Sequence, residues 1–221
     1  MTLLVDHQAP GDRDRTLAGG KGRNLYALKA SGFPVPRFAV LGADAFEAAL
    51  DGLGLRVTAG PQTLQDRLRD AAGMAAALSE SPVPESVRDE ISAALDHLGA
   101  APAAVRSSAR QEDGASHSFA GLFASYLNLS GLEAVEDAVR LCWASAFSPR
   151  VTHYRHIRGL CFDDLAVAVI VQQCIEPVSS GVMFTADPVT GRTDHIVISG
   201  VPGLGEGLVS GTVDSASVVI D

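Results

Sequence analysis

The sequence predicts a mixed α/β or α+β protein, in which strands alternate with helices. Two segments and one pattern carry that prediction. LAVAVIVQQCI (165–175) is a near-continuous apolar run, as expected of a central strand buried on both faces. PESVRDEISAALDHLG (84–99) repeats Val87, Ile91 and Leu95 at i+4 spacing between a proline and a glycine, which describes a helix with one apolar face. Glycine and proline divide the remainder into pieces of strand or helix length.

Taken in order, RNLYALKAS (23–31) reads as a short helix with Leu25 and Leu28 on one face and Gly32 as its stop. FAVLG (38–42) reads as a strand, and Asp44 as the N-cap of a helix over AFEAALDGLG. A helix spans about 63–78, with Leu64 and Leu68 one turn apart, and the helix from Pro84 to Gly99 follows. AAVRSS is a strand. Leu132, Val135, Val139, Cys142 and Trp143 stripe a further helix, and Ser148-Pro149 opens another that runs through Arg158. Beyond the apolar run, SGVMFTADP, DHIVISG and ASVVID read as strands. A boundary is expected near Ile175-Glu176-Pro177, separating residues 1–175 from a strand-rich segment, 176–221.

Composition narrows the function classes. The 221 residues are 47% hydrophobic and carry a formal net charge of −9, with no basic run, which argues against nucleic acid as a partner. No apolar run approaches membrane-spanning length, and the first residues lack a signal pattern. Cys142, Cys161 and Cys174 form an odd set without metal-ligand spacing, as reduced thiols of a cytoplasmic protein do. An acidic protein can still bind an anion through a few well-placed cations and backbone N–H groups.

Two places offer such cations. GGKG (19–22) sets Lys21 among glycines before a helix, where backbone N–H groups and the helix dipole favour an anion. A flexible turn with an exposed lysine fits the same residues. The stretch is not a Walker A loop, because Arg15 stands where its first glycine would be and no Ser or Thr follows Lys21. Arg106 ends an apolar strand start and precedes Ser107 and Ser108. A buried guanidinium needs a partner, either Glu112 or Asp113 in a structural ion pair or a phosphate gripped by its fork. PGLGEGLVSG (202–211) does not fit G-x-G-x-x-G and reads as a tight turn. His153 and His156 lack a third metal ligand, and His117 lies in a polar loop triplet.

In order and wording, four segments resemble the N-terminal nucleotide-binding domain of the phosphoenolpyruvate synthase and pyruvate phosphate dikinase family. They are GGKGRNLYALKASGFPVPRFAVLGADAF, AVRSSARQEDGASHSFAGLFASYLNL, AVIVQQCIEPVSSGVMFTADPVTGR and GLGEGLVSGTVDSASVVID. SFAGLFASYLNL resembles the synthase and rifampicin phosphotransferase branch. The resemblance implies an ATP-grasp fold, with residues 1–175 as its first lobe and 176–221 as the start of a second, incomplete one. It implies that Lys21 and Arg106 bind the phosphates of ATP, that Gly121 belongs to a loop over them, that Ser125 keeps a hydroxyl where relatives often have threonine, and that Gln172 lies at the adenine end. It further implies Mg2+ whose ligands lie largely beyond Asp221, together with a Gln-x-Arg motif, a phosphohistidine domain and an acceptor-binding domain, in cis or in trans. None of the six histidines of this chain matches that phosphohistidine. The function expected is the ATP-binding part of a phosphotransferase that phosphorylates a mobile histidine and then pyruvate or another acceptor. A non-catalytic nucleotide- or partner-binding module derived from that domain is the alternative.

Overall fold

The computed structural model describes residues 3–5, 17–55, 63–109, 113–114, 117–118, 124–160, 162 and 165–220. The chain divides into two compact units, Met1–Cys174 and Ile175–Asp221.

The first unit is built on a five-stranded sheet in the order β1-β2-β7-β3-β6. Its strands are β1 (Leu3–Val5), β2 (Phe38–Leu41), β3 (Ala103–Ala109), β6 (Ser125–Leu129) and β7 (Val167–Gln173). β4 (Asp113–Gly114) and β5 (His117–Ser118) pair as a separate two-stranded ribbon. Every pairing is antiparallel, so the architecture is α+β and no parallel crossover occurs among the described residues. β7 is central, as its apolar run predicts. A run without alternation is more typical of parallel sheets; here helices cover this antiparallel strand on both faces.

Those faces are unequal. Toward one project Ala39, Leu41, Ala103, Val105, Val167, Val169 and Val171. They pack against α2 (Ala43–Gly52), α3 (Leu64–Glu80), α4 (Glu85–Leu98) and α5 (Leu132–Ser145) in the main core. Phe46, Trp143 and Phe147 fill its centre, with Phe46 6.1 Å from the Trp143 ring and 6.2 Å from that of Phe147. The opposite face carries a smaller cluster in which Ala18 and Tyr26 meet Phe38, Val40, Ala168 and Ile170. Tyr26 belongs to α1 (Gly19–Ala30), and its ring meets Phe38 edge-on at 4.9 Å.

Local signals explain most helix ends. Thr63 caps α3 by accepting from the Asp66 N–H at 3.2 Å. Ser148 caps α6 (Pro149–Ile157) in the same way, with Pro149 in its first turn. Two expectations shift. The first helix begins at Gly19, not at Arg23, so GGKG forms its opening turn. The N-cap of α2 is Gly42, not Asp44, because the chain turns into the helix directly after β2 and buries Ala43; Asp44 lies one position further in, where a carboxylate suits the helix dipole.

The second unit is a three-stranded antiparallel sheet, β10-β9-β8, of β8 (Ser179–Phe184), β9 (Ile196–Pro202) and β10 (Ala216–Ile220). The PGLGEGLVSG stretch, expected to be a tight turn, contains one helical turn, α7 (Glu206–Ser210), closed by Gly211 at φ 71°. Between β8 and β9, Asp187 organises a turn by accepting from the Val189 and Thr190 N–H groups at 2.8 and 3.1 Å, and His195 Nε2 lies 3.3 Å from its other oxygen. Those bonds hold the Asp187 carboxyl well below the usual carboxylate range. Among the described residues no helix is long and apolar enough to cross a membrane.

Candidate functional site

Strand register decides which side chains share a face. Directly opposed residues of an antiparallel pair project to the same side. Arg106 lies opposite Ile170 on β7 and Ser125 on β6. Gln172 lies opposite Ala104 on β3 and Phe38 on β2. Ile170 and Phe38 belong to the cluster under α1, so Arg106, Ser125 and Gln172 all stand on the α1 side of the sheet.

Lys21 joins that side from the helix. Its Nζ donates to the Ser107 carbonyl at 3.1 Å, which brings the ammonium to the residue that follows Arg106. The contact is possible because the opening turn of α1 lies directly on the end of β3. Gly19 has φ 70°, and a Cβ added there would stand 2.0 Å from the Ser108 carbonyl oxygen; only glycine meets both demands. The Ser108 hydroxyl donates to the Ala18 carbonyl at 2.8 Å and accepts from the Gly22 N–H at 3.1 Å. The glycines were expected to present N–H groups to an anion. Instead Gly19, Gly20 and Gly22 are buried, and the Gly22 N–H is taken by Ser108.

Ala104, beside Gln172, and Ser107, whose carbonyl holds Lys21, are three positions apart, or about 10 Å along an extended strand. Gln172 is buried and ends the hydrophobic part of β7, whereas Arg106 is half-buried and Ser125 exposed. Among the described residues the Arg106 guanidinium has no hydrogen bond or ion pair. Glu112 and the side chain of Asp113, its alternative partners, lie outside the described residues, as does Gly121.

Behind Arg106 the start of β6 is fastened from the other face. The Ser107 hydroxyl donates to the Ala124 carbonyl at 3.2 Å, and the Ala124 N–H donates to Ser145 Oγ at 3.3 Å. This fixes the residue before Ser125. Cys142 packs into the same seam, its Sγ 3.7 Å from the Ala124 carbonyl. Burial pushes its thiol up to about 12, against a hydrogen bond at Ser107 and the positive charge of Lys21.

Sequence reading had singled out Lys21 and Arg106 but not Ser108. Its partners, Ala18 and Gly22, stand 90 and 86 residues away and leave no local mark in the sequence. His153 and His156 lie on α6, and among the described residues no group of three His, Cys, Asp or Glu could hold a metal ion.

Two cations and a buried glutamine thus share one sheet face of an α+β unit. Residues 15–221 match "Pyruvate phosphate dikinase, AMP/ATP-binding domain", and the chain belongs to that family. It is 36% identical over 225 residues to the prodigiosin synthesizing transferase PigC of Serratia marcescens, covering 100% of this chain and 24% of that protein. It is 39% identical over 228 residues to a rifampicin phosphotransferase of a Streptomyces species, covering 96% of this chain and 26% of the relative. With a probable phosphoenolpyruvate synthase of Methanocaldococcus jannaschii the identity is 35% over 223 residues, 95% of this chain and 19% of the relative. The chain therefore spans about a quarter of these relatives or less.

Proposed function

We propose that this chain binds ATP on the α1 side of its five-stranded sheet and serves as the nucleotide-binding part of a phosphoenolpyruvate-synthase-like phosphotransferase. The observation that carries the reading is an order along β3, with Gln172 beside Ala104, Arg106 at mid-strand and Lys21 bound at the Ser107 carbonyl. An extended nucleotide has the same polarity, with charge at one end and a flat base at the other. Arg106 grips phosphate oxygens with its planar fork, and Lys21 adds a point charge held at Ser107. Ser125, opposite Arg106, offers a hydroxyl to the same phosphates, and Gln172 offers its amide to the adenine edge. Gly121, outside the described residues, is added to the phosphate-binding set on the family resemblance alone.

In this reading residues 1–175 form the first lobe of an ATP-grasp domain, and 176–221 begin the second. Phosphoryl transfer depends on positioning and charge stabilisation, and this chain contributes the cations and the base contact. Mg2+ accompanies the nucleotide and neutralises phosphate charge; we assign it no ligand in this chain. The phosphoryl group passes to a mobile histidine on a domain that this chain does not contain, and from there to pyruvate or another acceptor.

The test is calorimetric titration of the purified chain with ATP and magnesium, followed by incubation with labelled ATP. The reading expects weak binding that Arg106→Ala abolishes, no release of AMP and no acid-labile phosphate on the chain. Binding insensitive to Arg106→Ala would reject the site.

A further inference from the structure

The Ser108 hydroxyl sits between the two groups that form the first hydrogen bond of a helix. In α1, Ala18 is the N-cap and has no side chain that can cap, and the carbonyl of Ala18 and the N–H of Gly22 stand four residues apart. Ser108 donates to the first at 2.8 Å and accepts from the second at 3.1 Å. It is fully buried and comes from β3, two residues after Arg106. A strand thus caps the helix that carries Lys21. Gly19 lets the two backbones approach closely enough for this, since a Cβ there would overlap the Ser108 carbonyl.

We infer that Ser108 is a positioning residue for the nucleotide, acting through Lys21. By fastening the opening turn of α1 to the strand that bears Arg106, it sets the spacing of the two cations. This role rests on the nucleotide reading above. Strand and helix are distant in sequence, and the bonds from Ser108 to Ala18 and Gly22 and from Lys21 to Ser107 tie the opening turn of α1 to β3. Loss of the hydroxyl leaves a buried N–H and a buried carbonyl without this bridge, which lets the turn shift and carries Lys21 with it.

The test is a double-mutant cycle on the purified chain, with ATP affinity measured by calorimetry for the unsubstituted chain, Ser108→Ala, Lys21→Ala and the pair. Amide exchange at Gly22 is followed in parallel without ligand. Ser108→Ala should weaken ATP about tenfold alone and less than about twofold in the Lys21→Ala background, because coupled sites are not additive. The Gly22 amide should exchange faster in Ser108→Ala while β7 amides keep their protection. Should Ser108→Ala not fold, Ser108→Cys replaces it, since a thiol is a poor acceptor for the Gly22 N–H. ATP binding with additive losses, or an unchanged Gly22 exchange rate, would overturn the role of Ser108 and leave the nucleotide reading standing. No ATP binding by the unsubstituted chain overturns the nucleotide reading and this role with it.

Discussion

Gly19 lies against Ser108 so closely that a side chain on Gly19 would meet the Ser108 carbonyl oxygen at 2.0 Å. Two penalties then fall on Gly19→Ala. The residue has φ 70°, which costs an alanine about 1–2 kcal/mol, and the new methyl must displace backbone, which costs about 1–3 kcal/mol more. Gly32 is the control, with φ 82° and nothing within 4 Å of an added Cβ. Chemical denaturation should show Gly19→Ala losing about 3 kcal/mol and Gly32→Ala about 1 kcal/mol. Equal losses would mean that helix and strand do not meet as described.

Arg106 separates stability from binding. If its guanidinium serves phosphate and not a structural ion pair with Glu112 or Asp113, Arg106→Ala should leave the unfolding midpoint nearly unchanged. If it grips phosphate, the same substitution should weaken ATP by about 2–5 kcal/mol. Arg106→Lys should recover only part of that, because an ammonium lacks the planar fork. A large fall in stability without a change in ATP affinity would return Arg106 to a structural role.

Much of the fold was legible because its signals are local. The β7 run, the Val87–Ile91–Leu95 stripe of α4 and the Ser148-Pro149 start of α6 each encode an element within a few residues. The start of α1 was not legible. Three glycines disfavour a helix by propensity, and the turn forms because a serine 86 residues further along accepts the Gly22 N–H. The antiparallel sense of β7 was hidden for a related reason: an apolar run reports burial on both faces, not the direction of its neighbours. Lys21 and Arg106 stood out as charges in unusual company. Ser108 did not, since a small polar residue on a strand carries no visible label until its partners are known.

Cys142 provides a chemical readout of the seam behind Arg106. Burial raises its pKa to about 12, while an unfolded cysteine titrates near about 8.5. The folded thiol therefore stays protonated where the unfolded one ionises. Its contribution to stability is intact below about pH 8.5 and declines as pH rises toward about 12. At pH 8, Cys142 in the native chain should resist iodoacetamide and react once urea unfolds the protein. Mass spectrometry of the alkylated peptide reports this, and rapid native labelling would show that the seam is open.

The turn between β8 and β9 should respond to acid in the opposite sense. Asp187 is ionised in the fold because the Val189 and Thr190 N–H groups bond to it, which depresses its pKa. Its contribution is present above the ordinary aspartate value of about 3.9 and is lost as pH falls through the lower folded value. Amide shifts of Val189 and Thr190 should move together in acid below that ordinary value. Asp187→Asn, which keeps an acceptor oxygen, should disturb the turn less than Asp187→Ala, and identical spectra for the two variants would remove the role given to those bonds.

The most direct test of the account is a titration of the isotopically labelled chain with ATP and magnesium, followed by amide chemical shifts. A nucleotide on the α1 face should shift the opening turn of α1 around Lys21, the β3 residues from Ala104 to Ser108, Ser125 on β6 and Gln172 on β7. AMP, which lacks the outer phosphates, should keep the response near Gln172 and lose most of it near Lys21. Saturating ATP that moves α4 and α5 on the other face, or that leaves Lys21, Arg106 and Gln172 all unmoved, would contradict it.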